Sequence, residues 1–124
     1  MKTNFILKNG LLVLFISVAF ASSGQQKINI TDFNVVKDQN MISIKWATDS
    51  ASVTNYFEVE RSNDGKIFKT VAYVLGADPT QKNCECFGCF DKIKSKGKTS
   101  YYRLKHVNKN GIIQFSETKM LALK

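Results

Sequence analysis

The sequence has one proline, one histidine and one tryptophan, and it confines its three cysteines to a single short stretch. It has no glycine-rich phosphate loop, no aspartate-rich calcium loop and no Ser/His/Asp or Cys/His arrangement of recognisable spacing. After residue 24, no long stretch repeats apolar residues at the helical spacing i, i+3, i+4, i+7. Because the usual sequence signatures of catalysis are missing, we expect a protein that is not an enzyme and carries no cofactor.

The N-terminal residues have the layout of a secretory signal peptide. Lys2 and Lys8 precede an uncharged apolar run over residues 11–20, which is shorter than the roughly 20 residues that a membrane span needs. Small residues allow cleavage after Ala21 or after Gly24, and we favour the second. An uncleaved N-terminal anchor is the alternative, and no cysteine follows either position to carry a lipid anchor.

We therefore predict a signal peptide over residues 1–24 and one exported domain over residues 25–124, either periplasmic or secreted to the cell surface. The signal carries two of the 18 basic residues and none of the 10 acidic ones, so the mature chain has 16 basic residues and a net charge of +6. Such a charge favours anionic partners such as lipopolysaccharide, an acidic glycan or nucleic acid. It also keeps a small exported protein soluble, which is the simpler explanation.

The mature sequence alternates apolar and polar residues with the two-residue period of β-strands. Two turn signals, Asn63-Asp64-Gly65 and Asn110-Gly111, predict hairpins, because glycine adopts the positive φ that such turns need. The predicted strands cover residues 27–36, 41–48, 56–62, 68–75, 85–91, 100–107 and 112–123. This pattern predicts an all-β, seven-stranded immunoglobulin-like antiparallel sandwich, with a closed barrel as the alternative.

Three stretches carry a family resemblance: residues 42–48 with Trp46, residues 56–65 with the run Phe-Glu-Val-Glu-Arg-Ser, and residues 101–107 with Tyr-Tyr-Arg-Leu-Lys. Together they resemble the fibronectin type III-like repeats of secreted bacterial proteins, which often precede a C-terminal sorting domain of the type IX secretion system. The resemblance spans about residues 33–116. It implies a fibronectin type III-like sandwich that serves as a structural or binding spacer without enzymatic activity.

The resemblance also assigns roles within the core. Trp46 would be the large anchor of the sandwich, burying on the order of 200 Å². The residues facing it would be Phe57, Val59, Tyr102 and Leu104. The corner tyrosine of the family falls on Ser100 here, so Tyr101 or Tyr102 would have to take its place. No sorting domain follows the last predicted strand, which leaves periplasmic residence open beside secretion.

All three cysteines lie within one C-x-C-x-x-C stretch, and clustered cysteines in an exported protein usually form a disulfide. A bond between Cys84 and Cys86 would close a very tight ring. We therefore favour Cys84–Cys89 or Cys86–Cys89, which leaves one free thiol and keeps an intermolecular disulfide or a redox role open. If the segment is a strand, Phe87, Cys89 and Asp91 share a face, which would bury Cys89 and leave the other two cysteines outside.

The alternative function is a metal-binding or redox module in the periplasm. Thiolates with the spacing C-x-C-x-x-C suit zinc or copper(I), and His106 would be the fourth ligand beside the three cysteines. His106 is, however, two residues beyond Leu104 and four beyond Tyr102, so all three point to the same face of the predicted strand. We therefore expect His106 to pack in the core.

A lysine occupies every second position in the segment before residue 99. These are Lys92, Lys94, Lys96 and Lys98. In an extended loop their ammonium groups would project to one side and contact phosphate or sulfate groups, whereas the simpler interpretation is a solvated loop. The loop lacks the stacking aromatics that nucleic-acid binding usually adds, and export argues against nucleic acid as well. Glu58 and Glu60 are interpreted as surface charges.

These observations predict an exported, non-catalytic binding or structural module that acts through its loops and surface. The long, basic, cysteine-bearing segment over residues 76–98 is the expected contact region. The expected partners are an anionic glycan, an envelope component or another protein, and no membrane segment is expected after signal cleavage.

Overall fold

The computed structural model describes residues 27–94 and 98–123; the predicted signal peptide lies outside them. A single-turn 3₁₀ helix, Ala51–Val53, is the one helical element in these residues, and no helix there is long and apolar enough to cross a membrane. The strands are β1 (Ile30–Asp38), β2 (Met41–Thr48), β3 (Thr54–Ser62), β4 (Lys69–Val74), β5 (Cys86–Lys92), β6 (Thr99–Asn108), β7 (Ile113–Phe115) and β8 (Lys119–Ala122).

The strands form two sheets in which every pairing is antiparallel. The three-stranded sheet has the order β1-β2-β5, and the five-stranded sheet has the order β4-β3-β6-β7, with β8 also pairing with β6. The prediction of an all-β antiparallel sandwich is therefore confirmed. Because the two sheets remain separate in the part of the chain described here, the closed-barrel alternative is wrong.

The predicted count of seven strands is wrong, because the last predicted strand divides into β7 and β8. Ser116 stands between them, and its hydroxyl accepts a 2.7 Å hydrogen bond from the Leu104 N–H and donates one to the Glu117 carbonyl. The Ser116 N–H donates in turn to the Leu104 carbonyl at 2.9 Å. This side chain takes the place of a backbone partner, so the strand pairing with β6 breaks here and resumes at Lys119.

The core lies between the sheets and is dominated by aromatic rings. Trp46 of the three-stranded sheet packs edge-on against Phe57 of the other sheet, with ring centroids 5.2 Å apart, and it stacks on Phe87 at 5.9 Å. Phe57 and Phe87 are themselves 4.9 Å apart. Other side chains buried to the same extent are Ile42, Ile44, Val59, Tyr102 and Leu104. Trp46 is thus the core anchor that was expected.

A buried polar group joins the two sheets at one end of this core. Asp91 on β5 accepts hydrogen bonds at its Oδ2 atom from Arg61 Nη1 on β3, at 2.5 Å, and from the Tyr102 hydroxyl on β6, at 2.7 Å. Burial, reinforced by Asp91, raises the pKa of Tyr102. Of the two tyrosines proposed to replace the corner tyrosine, Tyr102 is the one that is fully buried and bonded across the sandwich.

Candidate binding groove

The outer face of the three-stranded sheet carries a shallow groove. Residues directly opposite each other in an antiparallel pair point to the same face, and here Ser43 lies opposite Phe90 and Lys45 lies opposite Gly88. Phe90 is 58% exposed. A ring and a cation therefore project side by side from a face whose inner side forms the core.

Gly88 gives the groove its depth. A Cβ atom at this position would lie 3.2 Å from the Ile44 carbonyl oxygen and 3.5 Å from Lys45 Cγ. A glycine within a strand often marks such a close approach. Because Gly88 has no side chain, the stem of Lys45 lies close over β5 without being displaced.

The segment between β4 and β5 forms one wall of the groove. The Asp78 N–H donates a 2.6 Å hydrogen bond to the Cys86 carbonyl, which fixes this segment beside the edge of β5. The Asp78 carboxylate accepts hydrogen bonds from the Thr80 hydroxyl and the Thr80 N–H. These bonds, aided by the charge of Lys45, hold the pKa of Asp78 below its usual value. The wall therefore carries a fixed negative charge near Lys45.

The groove consists of two adjoining depressions of about 370 and 340 Å³ that share Lys45, Asp78 and Gly88. The first extends toward Phe90 and Pro79, and the second extends toward β1. The polar residues that β1 and the wall add to the second are Asp32, Asn34 and Gln81. A long shallow groove with one exposed ring, amide groups and a cation suits a flexible polar chain better than a compact apolar molecule.

The structure joins Cys84 to Cys86, with Cα atoms 5.3 Å apart, so the favoured pairings with Cys89 are wrong. The physical reason is strand alternation: Cys89 shares the inner face of β5 with Phe87 and Asp91, whereas Cys86 points outward. Cys89 packs against the core as a free thiol. Burial, with a smaller contribution from Asp91, raises its pKa to about 11, so it is protonated at neutral pH.

The four ligands of the metal alternative are not brought together. Residues 27–94 and 98–123 contain no group of three His, Cys, Asp or Glu side chains able to hold a metal ion. His106 is 2% exposed, as its parity predicts, and belongs to the five-stranded sheet. Its Nε2 atom lies 2.8 Å from Thr54 Oγ1 and its ring lies 5.0 Å from that of Phe57. Burial lowers the pKa of His106.

The predicted lysine cluster is placed in part. Lys92 ends β5 on the same face as Phe90, and Lys94 and Lys98 are exposed in the connection to β6, while Lys96 lies outside the described residues. Sequence reasoning missed Lys45 and Phe90 as candidate binding residues. Gly88 within a predicted strand was the available signal, although only the strand register shows which side chain crosses it.

Glu58 and Glu60 are buried on the outer face of the five-stranded sheet, so their interpretation as surface charges is wrong. Glu60 Oε1 accepts a 2.7 Å hydrogen bond from Arg103 Nε, and Glu58 accepts one from Thr70 Oγ1 at 2.7 Å and lies 3.4 Å from Lys105 Nζ. The long side chains of β6 cover both carboxylates. Glu58 is 7% exposed and Glu60 is 8% exposed.

The two packed antiparallel sheets place the protein in the class of all-β sandwiches. No family model matches the chain, and no curated protein sequence matches it. Its fold is similar to part of pectate lyase Pel3 from Pectobacterium carotovorum, with a TM-score of 0.57 and 18% identity over 80% of this chain and 27% of that one.

Two further structures share the fold. Pectate lyase PelI from Erwinia chrysanthemi, in complex with tetragalacturonic acid, gives a TM-score of 0.56 at 15% identity over 77% of this chain and 28% of that chain. The β-1,2-glucanase from Parabacteroides distasonis gives 0.52 at 19% identity over 82% and 14%. The chain thus spans about a quarter of either pectate lyase, and the likeness shows the fold alone.

Proposed function

We propose that this protein is an exported, non-catalytic, fibronectin type III-like module that binds an acidic polysaccharide in the groove of its three-stranded sheet. The observation that carries the proposal is the pairing of the exposed Phe90 ring with lysines that take part in none of the ion pairs of the described residues. Those ion pairs are Arg61–Asp91, Arg103–Glu60, Lys105–Glu58 and Lys119–Glu117.

The chemistry of the groove supports a glycan. An exposed aromatic ring offers an apolar face to the C–H groups of a sugar ring, and Asn34 and Gln81 offer amide donors and acceptors to its hydroxyl groups. Lys45 and Lys92 would attract carboxylates along an acidic chain, and the net charge of +6 on the mature chain raises the rate of encounter with any polyanion. Fold likeness to parts of three proteins named as polysaccharide enzymes is consistent with this class of ligand.

The groove and the basic connection are continuous along the chain. Lys92 lies two residues beyond Phe90 on the same face of β5, and Lys94 and Lys98 follow it. A polysaccharide lying along β5 would contact the Phe90 ring first and the lysines next. In our proposal the candidate lysines therefore extend the groove.

Isothermal titration calorimetry at low salt tests the proposal, with tetragalacturonic acid as the acidic probe and a neutral glucan oligosaccharide as the comparison. We expect binding of the acidic probe only, weakened by added salt, with the probe recovered unchanged. Phe90→Ala with Lys45→Gln should weaken binding about tenfold, which corresponds to about 1.4 kcal/mol. Lys109→Gln, which removes an exposed lysine of the β6–β7 turn, is the matched control. Equal affinity for both probes, or no binding of either, would sink the proposal.

Export and the cysteine state are part of the same proposal, and one mass measurement tests both. Protein recovered from the envelope of a bacterial host should begin at Gln25, lack two hydrogens and accept one alkyl group after denaturation. The structure assigns the disulfide to Cys84–Cys86 and the thiol to Cys89, so peptide mapping of the alkylated protein should find the alkyl group on Cys89. Three alkylated cysteines, or a retained Met1, would contradict the disulfide or the export respectively.

A further inference from the structure

The outer face of the five-stranded sheet carries a row of four residues that crosses the sheet from one edge to the other. Strand pairing places Tyr73 on β4 opposite Glu58 on β3, Glu58 opposite Lys105 on β6, and Lys105 opposite Phe115 on β7. We call these four residues the crossing row. The row reads apolar, acidic, basic, apolar, with Tyr73 65% and Phe115 48% exposed.

This order is self-complementary. A two-fold axis that runs parallel to the strands between β3 and β6 would place β3 of one copy over β6 of another, at the same level along the strands. The Glu58–Lys105 pair of one copy would then lie over the inverted pair of the second copy, and Tyr73 would face the second copy's Phe115. We propose that this face binds a second copy of the same chain in an isologous dimer.

The neighbouring pair repeats the arrangement. Glu60 on β3 lies opposite Arg103 on β6, so the same axis would again bring an acid of one copy over a base of the other. The Arg103 guanidinium is held between the rings of Phe68 and Phe115, 4.1 and 4.2 Å from their centroids. This stacking fixes the centre of the face before association, which reduces the entropy lost on binding.

The charge of the whole molecule favours the same region for contact between copies. A mature chain with a net charge of +6 repels its own copies over most of its surface. On this face the ion pairs Glu58–Lys105 and Glu60–Arg103 leave no net charge, and the apolar rim continues through Ile113, which is 50% exposed. Two copies therefore approach with the least repulsion here.

The size of the face fits a dimer of ordinary dimensions. β6 has ten residues, and at about 3.3 Å per residue and about 4.8 Å between strands the four strand positions cover roughly 600 Å² in projection. Projecting side chains raise the accessible area above this value, toward the roughly 800 Å² that each partner buries in a standard interface. A glycan fits less well, because the polar groups of this face already bond one another.

Sedimentation equilibrium of the mature chain without glycan tests the dimer at concentrations up to about 1 mM. Tyr73→Lys with Met120→Lys, two exposed positions on this face, should weaken association by about a hundredfold. Ile67→Lys, at a position 71% exposed in the β3–β4 loop, is the matched control and should leave it unchanged. A wild-type monomer throughout, or an equal effect of the control, would overturn the proposal.

A charge exchange makes the test specific to the two-fold axis. The double variant Glu58→Lys with Lys105→Glu retains the pair within each copy and also retains the pairs between two identical copies. It should therefore dimerise with itself but not with wild-type protein, because a mixed dimer would place acid over acid. Free mixing of the two proteins, followed by native mass spectrometry, would contradict this axis. A monomer that binds an acidic glycan would overturn the dimer and leave the proposed function standing.

Discussion

The two outer faces of the sandwich differ in whether their charged side chains are paired with one another. On the five-stranded sheet the acids of β3 lie opposite the bases of β6, so Glu58 and Glu60 are covered and paired. On the three-stranded sheet Lys45 lies opposite Gly88. Its ammonium group forms none of the four ion pairs found in the described residues. Both strand pairs follow the same alternation, so the difference arises from which residues the register places opposite each other. One face has internally paired charges and an apolar rim, whereas the other is a polar groove in which Lys45 lies near the carboxylate of Asp78 without forming an ion pair with it.

The largest effect is expected where the two sheets are joined. Asp91→Ala removes the acceptor that holds Arg61 and Tyr102 and leaves a guanidinium that is only 20% exposed without its partner. We expect a loss of about 3 kcal/mol in the free energy of unfolding, measured by urea denaturation. The double variant Asp91→Ala with Arg61→Met removes both charges and should recover part of the loss. An Asp91→Ala variant as stable as wild type would mean that apolar packing alone joins the sheets.

A smaller effect should separate the two outer faces. Glu60→Gln breaks the covered pair with Arg103 and should cost about 1 kcal/mol, whereas Lys45→Gln on the other face should change stability by less than about 0.3 kcal/mol. Urea denaturation at low and high salt measures both, and the Glu60→Gln loss should persist at high salt because salt screens a covered pair only weakly. Equal losses in the two variants would show that pairing does not distinguish the faces.

How much of this could be foreseen depends on what each residue contacts. The predicted strand over residues 41–48 is β2 in full, because Ile42, Ile44 and Trp46 alternate with polar neighbours and all enter the core. The division at Ser116 could not be foreseen, because its hydroxyl replaces a backbone partner of Leu104 on the neighbouring strand β6, and strand alternation does not show such a replacement. Alternation predicts which face a side chain is on, but not what lies opposite it.

The cysteines and the groove follow the same rule. The position of Cys89 on the inner face was foreseen from the alternation that it shares with Phe87. The Cys84–Cys86 bond was not foreseen, because its small ring size was given more weight than the strand face of each cysteine. Lys45 was overlooked because the sequence does not show that it crosses Gly88 on another strand. Local pattern therefore predicted the elements, and the register between distant strands decided the candidate site.

His106, on β6 of the five-stranded sheet, should make the stability of the protein depend on pH. The hydroxyl of Thr54 donates to the Ser50 carbonyl, so it accepts its second hydrogen bond from His106 Nε2–H, and the burial that lowers the pKa of His106 favours the neutral ring. Since burial lowers the pKa of His106 from 6.5, the unfolded chain binds the proton more readily, and the free energy of unfolding should fall as pH falls below about 6.5. Urea denaturation between pH 7.5 and 5.5 checks this, and His106→Gln should flatten the slope. An unchanged slope in the variant would assign the dependence to another group.

The smallest change in stability is expected from substitutions in the hairpin turns, which differ between the two sheets. In the five-stranded sheet Gly65 and Gly111 adopt φ values of +80° and +82°, whereas Gln39 in the two-residue β1–β2 turn adopts +58° with a full side chain. Gln39→Gly should therefore stabilise the protein by about 0.5 kcal/mol, while Gln39→Ala, which retains the Cβ, should not.

Gly111→Ala is the reciprocal substitution. Nothing lies within 4 Å of the Cβ that it would add, so any loss reflects the backbone alone, and we expect about 1 kcal/mol. Thermal unfolding of the three variants against wild type measures both directions. If Gln39→Gly is neutral while Gly111→Ala is costly, the β1–β2 turn relaxes without glycine, and the three-stranded sheet is then the more adaptable of the two.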